Sequence, residues 1–192
     1  MRRLAAAIRR KTGKRVSLWF QDEARLGQKG RVCHMWWKRG ERPAGICDRR
    51  FTFAYIFGAA KIGSDDAFAL VLPEVNTEAM QIFLREFSKT LPADEIAVMF
   101  ADQAGWHRAN GLQIPANVRL LPIPAYTPEV NPVERIWLYL KERYLSHRLH
   151  ADYDNIVDAT CAAWNKLRQE VGRIKSLCTF PWLEKCLDAV KT

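Results

Sequence analysis

Glu95-Ile96-Ala97-Val98-Met99-Phe100-Ala101-Asp102 is the stretch on which the fold turns. The run is unbroken and apolar on both alternating sets of positions, which predicts a strand buried near the middle of a sheet. It closes on an acid. So does a second strand-like run upstream, Val16-Ser17-Leu18-Trp19-Phe20-Gln21-Asp22, followed by a turn over residues 23–27. Between the two lie β-prone runs at 32–38, 51–60 and 68–72, the last ending before Pro73. Asn76 or Thr77 can cap a helix reaching about Thr90, with Ala79, Met80, Phe83, Leu84 and Phe87 at helical spacing.

Beyond Asp102 a short helix is predicted through Trp106 and His107, then a strand at 118–122 and a loop carrying Pro122, Pro124, Pro128 and Pro132. A helix over 133–149 follows, with one apolar face formed by Val133, Ile136, Trp137, Leu140 and Tyr144. Another spans about 154–168, and the tail from Ser176 is helical with a weak phase. Leading hairpins followed by right-handed crossovers make an α/β fold, a mixed sheet of about five strands with helices on both faces. The first strand can then lie parallel to the fourth or fifth, bringing Asp22 and Asp102 to the same sheet edge.

Glu134 sits in the first turn of the helix announced by Asn131-Pro132. If that helix packs across the strand ends, three carboxylates converge. Hard oxygen ligands with no soft ligand nearby suit Mg²⁺ or Mn²⁺. Each acid also has a plain structural reading. Asp22 can begin a turn, and Asp102 can cap the helix after it. Glu134 can complete a capping box, with Asn131 as N-cap and Pro132 as first helical residue. Glu23 competes with Asp22, but strand alternation lets only one of them face a common pocket.

In a chain of 192 residues and net charge +9, a pocket of acids needs an explanation, and cutting nucleic acid supplies one. The charge is segregated. Arg2, Arg3, Arg9, Arg10, Lys11, Lys14 and Arg15 open the chain without an acid, and between positions 25 and 50 eight basic residues face only Glu41 and Asp48. Residues 1–15 read as a basic segment or linker remnant, and 16–192 as one domain. The five cysteines are odd in number and lack CxxC spacing, which fits reduced thiols in a cytoplasmic protein. Cys33, His34 and Cys47 have the wrong spacing for a zinc finger. His147 and His150 read as a solvated helix end. No apolar run is long enough for a membrane helix.

Four blocks carry a family resemblance: Phe20-Gln21-Asp22-Glu23-Ala24-Arg25; Trp37, Gly40 and Pro43; Phe100-Ala101-Asp102-Gln103-Ala104; and Tyr126-Thr127-Pro128-Glu129-Val130-Asn131-Pro132-Val133-Glu134-Arg135-Ile136-Trp137. In this order they resemble bacterial insertion-sequence transposases of the mariner superfamily, over residues 16–168. The resemblance implies an RNase H-like DDE endonuclease domain, with Asp22, Asp102 and Glu134 as catalytic metal ligands. Asp102 and Glu134 are 32 positions apart, slightly short of the family's usual spacing. It further implies two Mg²⁺ or Mn²⁺ ions, DNA cleavage and strand transfer without a covalent protein–DNA intermediate, and a homodimer in the active complex. Arg25, Lys38, Arg39 and Arg42 become candidates for phosphate contacts, and His107 for proton transfer, phosphate binding or packing. Family members carry N-terminal helix-turn-helix domains. None precedes residue 16 here, so the chain reads as the catalytic half only, whether a separately encoded second reading frame, an excised piece or the remnant of a decayed copy. The alternatives are a non-catalytic DNA-binding or multimerisation remnant, and another RNase H-like nuclease.

Overall fold

The computed structural model describes residues 2–28, 36–41, 50–107, 111–124, 130–146 and 148–184. Five strands form one mixed sheet in the order β3-β2-β1-β4-β5: β1 Arg15–Gly27, β2 Phe53–Lys61, β3 Ala67–Leu72, β4 Glu95–Ala101 and β5 Val118–Pro122. β1 to β3 form an antiparallel meander, while β4 and β5 join β1 in parallel. All seven residues of β4 are buried, as its unbroken apolar run requires.

β1 is longer than its sequence suggested. The expected turn after Asp22 is instead strand, because β2 continues pairing with it through Arg25↔Tyr55 to Gly27↔Phe53. Asp22 therefore lies inside a strand and does not end one. Of the strand expected at 32–38, residues 36–38 carry no strand; the remainder lies outside the described residues, as do Arg42, Cys33, His34, Cys47 and His147.

Strand alternation sorts the side chains into two layers. Leu18, Phe20, Ala24, Ile56, Val98 and Phe100 face helices α1 (Arg2–Thr12), α3 (Val133–Arg143), α4 (Tyr153–Gln169) and α5 (Arg173–Leu177). Trp19, Phe57, Ala59, Ala97 and Met99 face α2 (Thr77–Thr90), whose buried stripe is Ala79, Met80, Phe83, Leu84 and Phe87. Asn76 caps α2 through its side-chain oxygen, which accepts the Ala79 N–H at 2.8 Å. The basic opening segment is a helix that puts Ala5 into the core. After it, Lys14 donates to the Ala93 carbonyl at 2.9 Å and Arg15 grips Asp94 through two nitrogens at 2.7 and 2.9 Å. These two cations clasp the α2–β4 connection.

α3 ends at Arg143, six residues before the expected limit. The chain turns where Tyr144 and Leu145 both donate N–H to the Leu140 carbonyl, and the Tyr144 hydroxyl reaches back to Glu170 beyond α4. Tyr139 donates to the same carboxylate at 2.7 Å, so one acid ties α3 to the end of α4. His150 is buried, contrary to the solvated reading: Nδ1 lies 3.2 Å from Asn155 Oδ1, and its carbonyl receives Gln28 and Arg50.

Candidate active site

β1 and β4 run parallel in register Phe20↔Phe100; two residues beyond that pair stand Asp22, inside β1, and Asp102, just after β4 ends. Asp22 points to the α3 side of the sheet. It is 8% exposed, and its Oδ2 accepts the Trp137 indole N–H at 2.8 Å. Burial, together with the nearby charges of Glu134 and Glu23, pushes the Asp22 carboxyl up to about 8, against the opposing pull of its hydrogen bonds. A carboxyl whose pKa is raised first by burial and then by neighbouring carboxylates is a position that a cation would ionise.

α3 brings Glu134 to this point through its entrance. Asn131 Nδ2 donates to the Gln21 main-chain carbonyl at 3.0 Å, while its Oδ1 accepts the Val133 N–H at 3.2 Å. One buried amide thus pins the helix start to the residue before Asp22. The capping-box arrangement does not form. Pro132 occupies the N-cap, Glu134 is the second helical residue with an exposed side chain, and Asn131 is already engaged with β1.

Gly58 makes room for the contact between Trp137 and Asp22. It is the cross-strand partner of Asp22, and a Cβ built on it would lie 2.4 Å from the Trp137 ring. Trp137 is buried, so its ring cannot withdraw into solvent. Gly58→Ala is therefore expected to destabilise the fold by about 1–3 kcal/mol, the usual scale of overpacking. Urea denaturation would measure it, and an unchanged midpoint would show that the ring is free to move.

Asp102 lies just past the end of β4 with its side chain 56% exposed. Its Oδ1 accepts the Ala104 N–H at 2.9 Å and faces His107 Nδ1 at 2.8 Å. The other ring nitrogen, Nε2, faces Glu23 Oε1 at 2.9 Å. Glu23 points to the α2 side, opposite Asp22, and also receives Gln21 Nε2 at 3.0 Å and Trp106 Nε1 at 3.3 Å. Burial works against charge on the His107 ring. The bond to Glu23 and the fields of Glu23 and Asp102 outweigh it and raise its pKa. A ring set between two carboxylates donates to both only as the imidazolium.

The three sequence-nominated acids thus share one end of the β1–β4 pair, and Asp22 and Glu134 feel each other's charge. Among the described residues, no three acidic, histidine or cysteine side chains converge tightly enough to hold one ion, and Asp102 is turned toward His107. The donor set nevertheless fits a hard divalent cation: carboxylate oxygens, with the Asp22 side chain buried. Arg25 lies over the Phe53 ring at 4.4 Å, Lys38 is exposed 4.0 Å from Glu41, and Arg39 is exposed. The sequence reading missed Gly58 and Gln21 and took Trp137 as core. The spacing of Glu134 and Trp137, one helical turn apart, was the available signal for the last.

Residues 17–157 match the family model described as DDE superfamily endonuclease. Over 133 residues the chain is 41% identical to the "Uncharacterized protein y4pE/y4sA" of Sinorhizobium fredii (strain NBRC 101917 / NGR234), covering 69% of this chain and 98% of that one. The crystal structure of the Mos1 mariner paired end complex with Mn aligns at a TM-score of 0.66 and 14% identity, over 98% of this chain and 57% of that chain. The catalytic core domain of BIV integrase aligns at 0.50 and 16% identity, over 81% of this chain and 85% of that one. The chain spans little more than half of the Mos1 chain, and at such identities the likeness concerns the fold, an RNase H-like sheet flanked by helices. With the family model matched from β1 into α4, the chain belongs to the DDE superfamily endonucleases.

Proposed function

We propose that the protein is the catalytic part of an insertion-sequence transposase, cutting DNA and joining the freed end to target DNA. The observation that carries this reading is Asp22, a buried acid with a raised pKa, beside Glu134 and level with Asp102, which follows the end of the parallel neighbour strand. Asp22, Asp102 and Glu134 would hold a divalent ion pair. Two such ions, Mg²⁺ or Mn²⁺, supply activation of the attacking oxygen and stabilisation of the leaving one when bound.

In the cleavage step, a water oxygen bonds to phosphorus and gives a proton to solvent, while the P–O3′ bond breaks and O3′ takes a proton from solvent, leaving a 3′-hydroxyl and a 5′-phosphate. That hydroxyl is the nucleophile of strand transfer, displacing a target O3′ in the same way. The protein's share is placement. Asn131 ties the start of α3 to β1, Trp137 fixes one oxygen of Asp22, and Arg25, Lys38 and Arg39 meet phosphates. Arg42 is proposed for the same role from the sequence. The active complex is proposed as a homodimer on DNA, with recognition of the element ends supplied by a helix-turn-helix part. No helix among the described residues is long and apolar enough to cross a membrane.

Incubating the purified chain with supercoiled plasmid tests this. Nicking with Mg²⁺ or Mn²⁺, and none in EDTA, is expected. DNA binding without nicking in either metal would leave the non-catalytic reading in its place.

A further inference from the structure

His107 is 2% exposed at its side chain, yet it packs between two acids and not in an apolar layer. The short 3-10 turn Gly105–His107 puts it there. His107 N–H closes on the Ala104 carbonyl at 3.0 Å, and the turn folds the ring back over the acid that precedes it. Asp102 Oδ1 is thereby bound from two sides, by the Ala104 N–H and by the ring. Among the described residues no hydrogen bond reaches Oδ2. Rotating this carboxylate would break both bonds to Oδ1.

The far side of the ring is equally fixed. Three nitrogens, from Gln21, Trp106 and His107, converge on Glu23 Oε1. Glu23 is bonded through the backbone to Asp22. A side-chain chain therefore runs from Asp102 through His107 to the residue next to Asp22. It acts where the recorded β1–β4 ladder has already ended, at Phe20↔Phe100.

We propose that His107 is a positioning residue for metal binding. Braced by Glu23, it orients Asp102 so that Oδ1 is occupied and Oδ2 is presented to a divalent cation. Glu23 is then a brace and not a fourth ligand, which settles its competition with Asp22 by the face it occupies. This rests on the carboxylate site proposed above.

The test measures Mn²⁺ binding to the whole chain by electron paramagnetic resonance, with melting temperature as a control. His107→Ala is expected to weaken Mn²⁺ binding by roughly 10–100-fold, the usual effect of removing an outer partner of a metal ligand. His107→Asn, whose amide N–H stands close to where Nδ1 does, should recover most of the loss. His107→Gln, whose amide reaches toward Glu23, should not. Parent-like binding by His107→Ala overturns the proposal. So does equal binding by the Asn and Gln variants, a comparison that serves even if the alanine variant fails to fold. A parent chain that takes up no Mn²⁺ overturns the carboxylate site and this proposal together, which separates the two failures.

Discussion

Asp22→Asn is expected to give a protein that is more stable than the parent at neutral and alkaline pH and unable to nick DNA. Burial and the charges of Glu134 and Glu23 hold the Asp22 pKa at about 8, against an ordinary 3.8. Between those values the folded state keeps a proton that the unfolded chain has released. The contribution to stability is therefore greatest at low pH, declines as pH rises from about 4, and has been lost in full above about 8. Asparagine carries no charge at any pH, and its oxygen can still accept the Trp137 N–H. The gain over the parent should be near zero at the acid end of that window. It should grow to several kcal/mol at its alkaline end, with ~5 kcal/mol as the ceiling set by four pKa units. Urea denaturation in EDTA at both ends of the window measures it. A gain no larger at the alkaline end would mean that Asp22 is not held protonated by burial. Loss of nicking to the EDTA level, in a variant more stable than its parent, could not be blamed on misfolding.

Much of this arrangement was legible in the sequence because it depends on periodicity. The apolar run before Asp102 predicted a central strand, and the i, i+3, i+4 stripe of α2 predicted its buried face. Asp22 and Asp102 were expected at one sheet edge because leading hairpins followed by right-handed crossovers let the first strand lie parallel to the fourth or fifth. What periodicity could not convey was pairing length. Whether 23–27 turns or continues depends on β2, whose register lies some thirty residues away in the chain. The same holds for side-chain partners. Glu134 stood in a local capping pattern, but Asn131 was diverted by a carbonyl of β1, a bond between residues 110 positions apart. Gly58 carried no local signal. Its meaning appears only when Trp137 is found over it. The basic segment was read by charge alone, and two of its cations, Lys14 and Arg15, are occupied by the α2–β4 connection.

Glu134→Gln separates charge from shape at the start of α3. In the sequence Glu134 could have served the helix as the closing member of a capping box. In the fold it is the second helical residue, exposed, behind a proline cap with no side-chain bond. Its remaining structural value is that of a negative charge near a helix N-terminus, about 0.3–1 kcal/mol. Its charge also raises the Asp22 pKa, so removing it relieves a repulsion. The two effects oppose, and the variant should unfold within about 1 kcal/mol of the parent. Chemistry should not survive the exchange, because an amide supplies no negative charge to a hard divalent ion. Nicking of supercoiled plasmid is expected to fall to the EDTA level while the melting curve stays put. The Asp22 carboxyl, followed by carbon-13 NMR, should titrate at a lower pH than in the parent. A variant that nicks as fast as its parent would remove Glu134 from the metal site and leave Asp22 and Asp102 in need of another partner. An unmoved Asp22 titration would place Glu134 too far from Asp22 to share an ion with it.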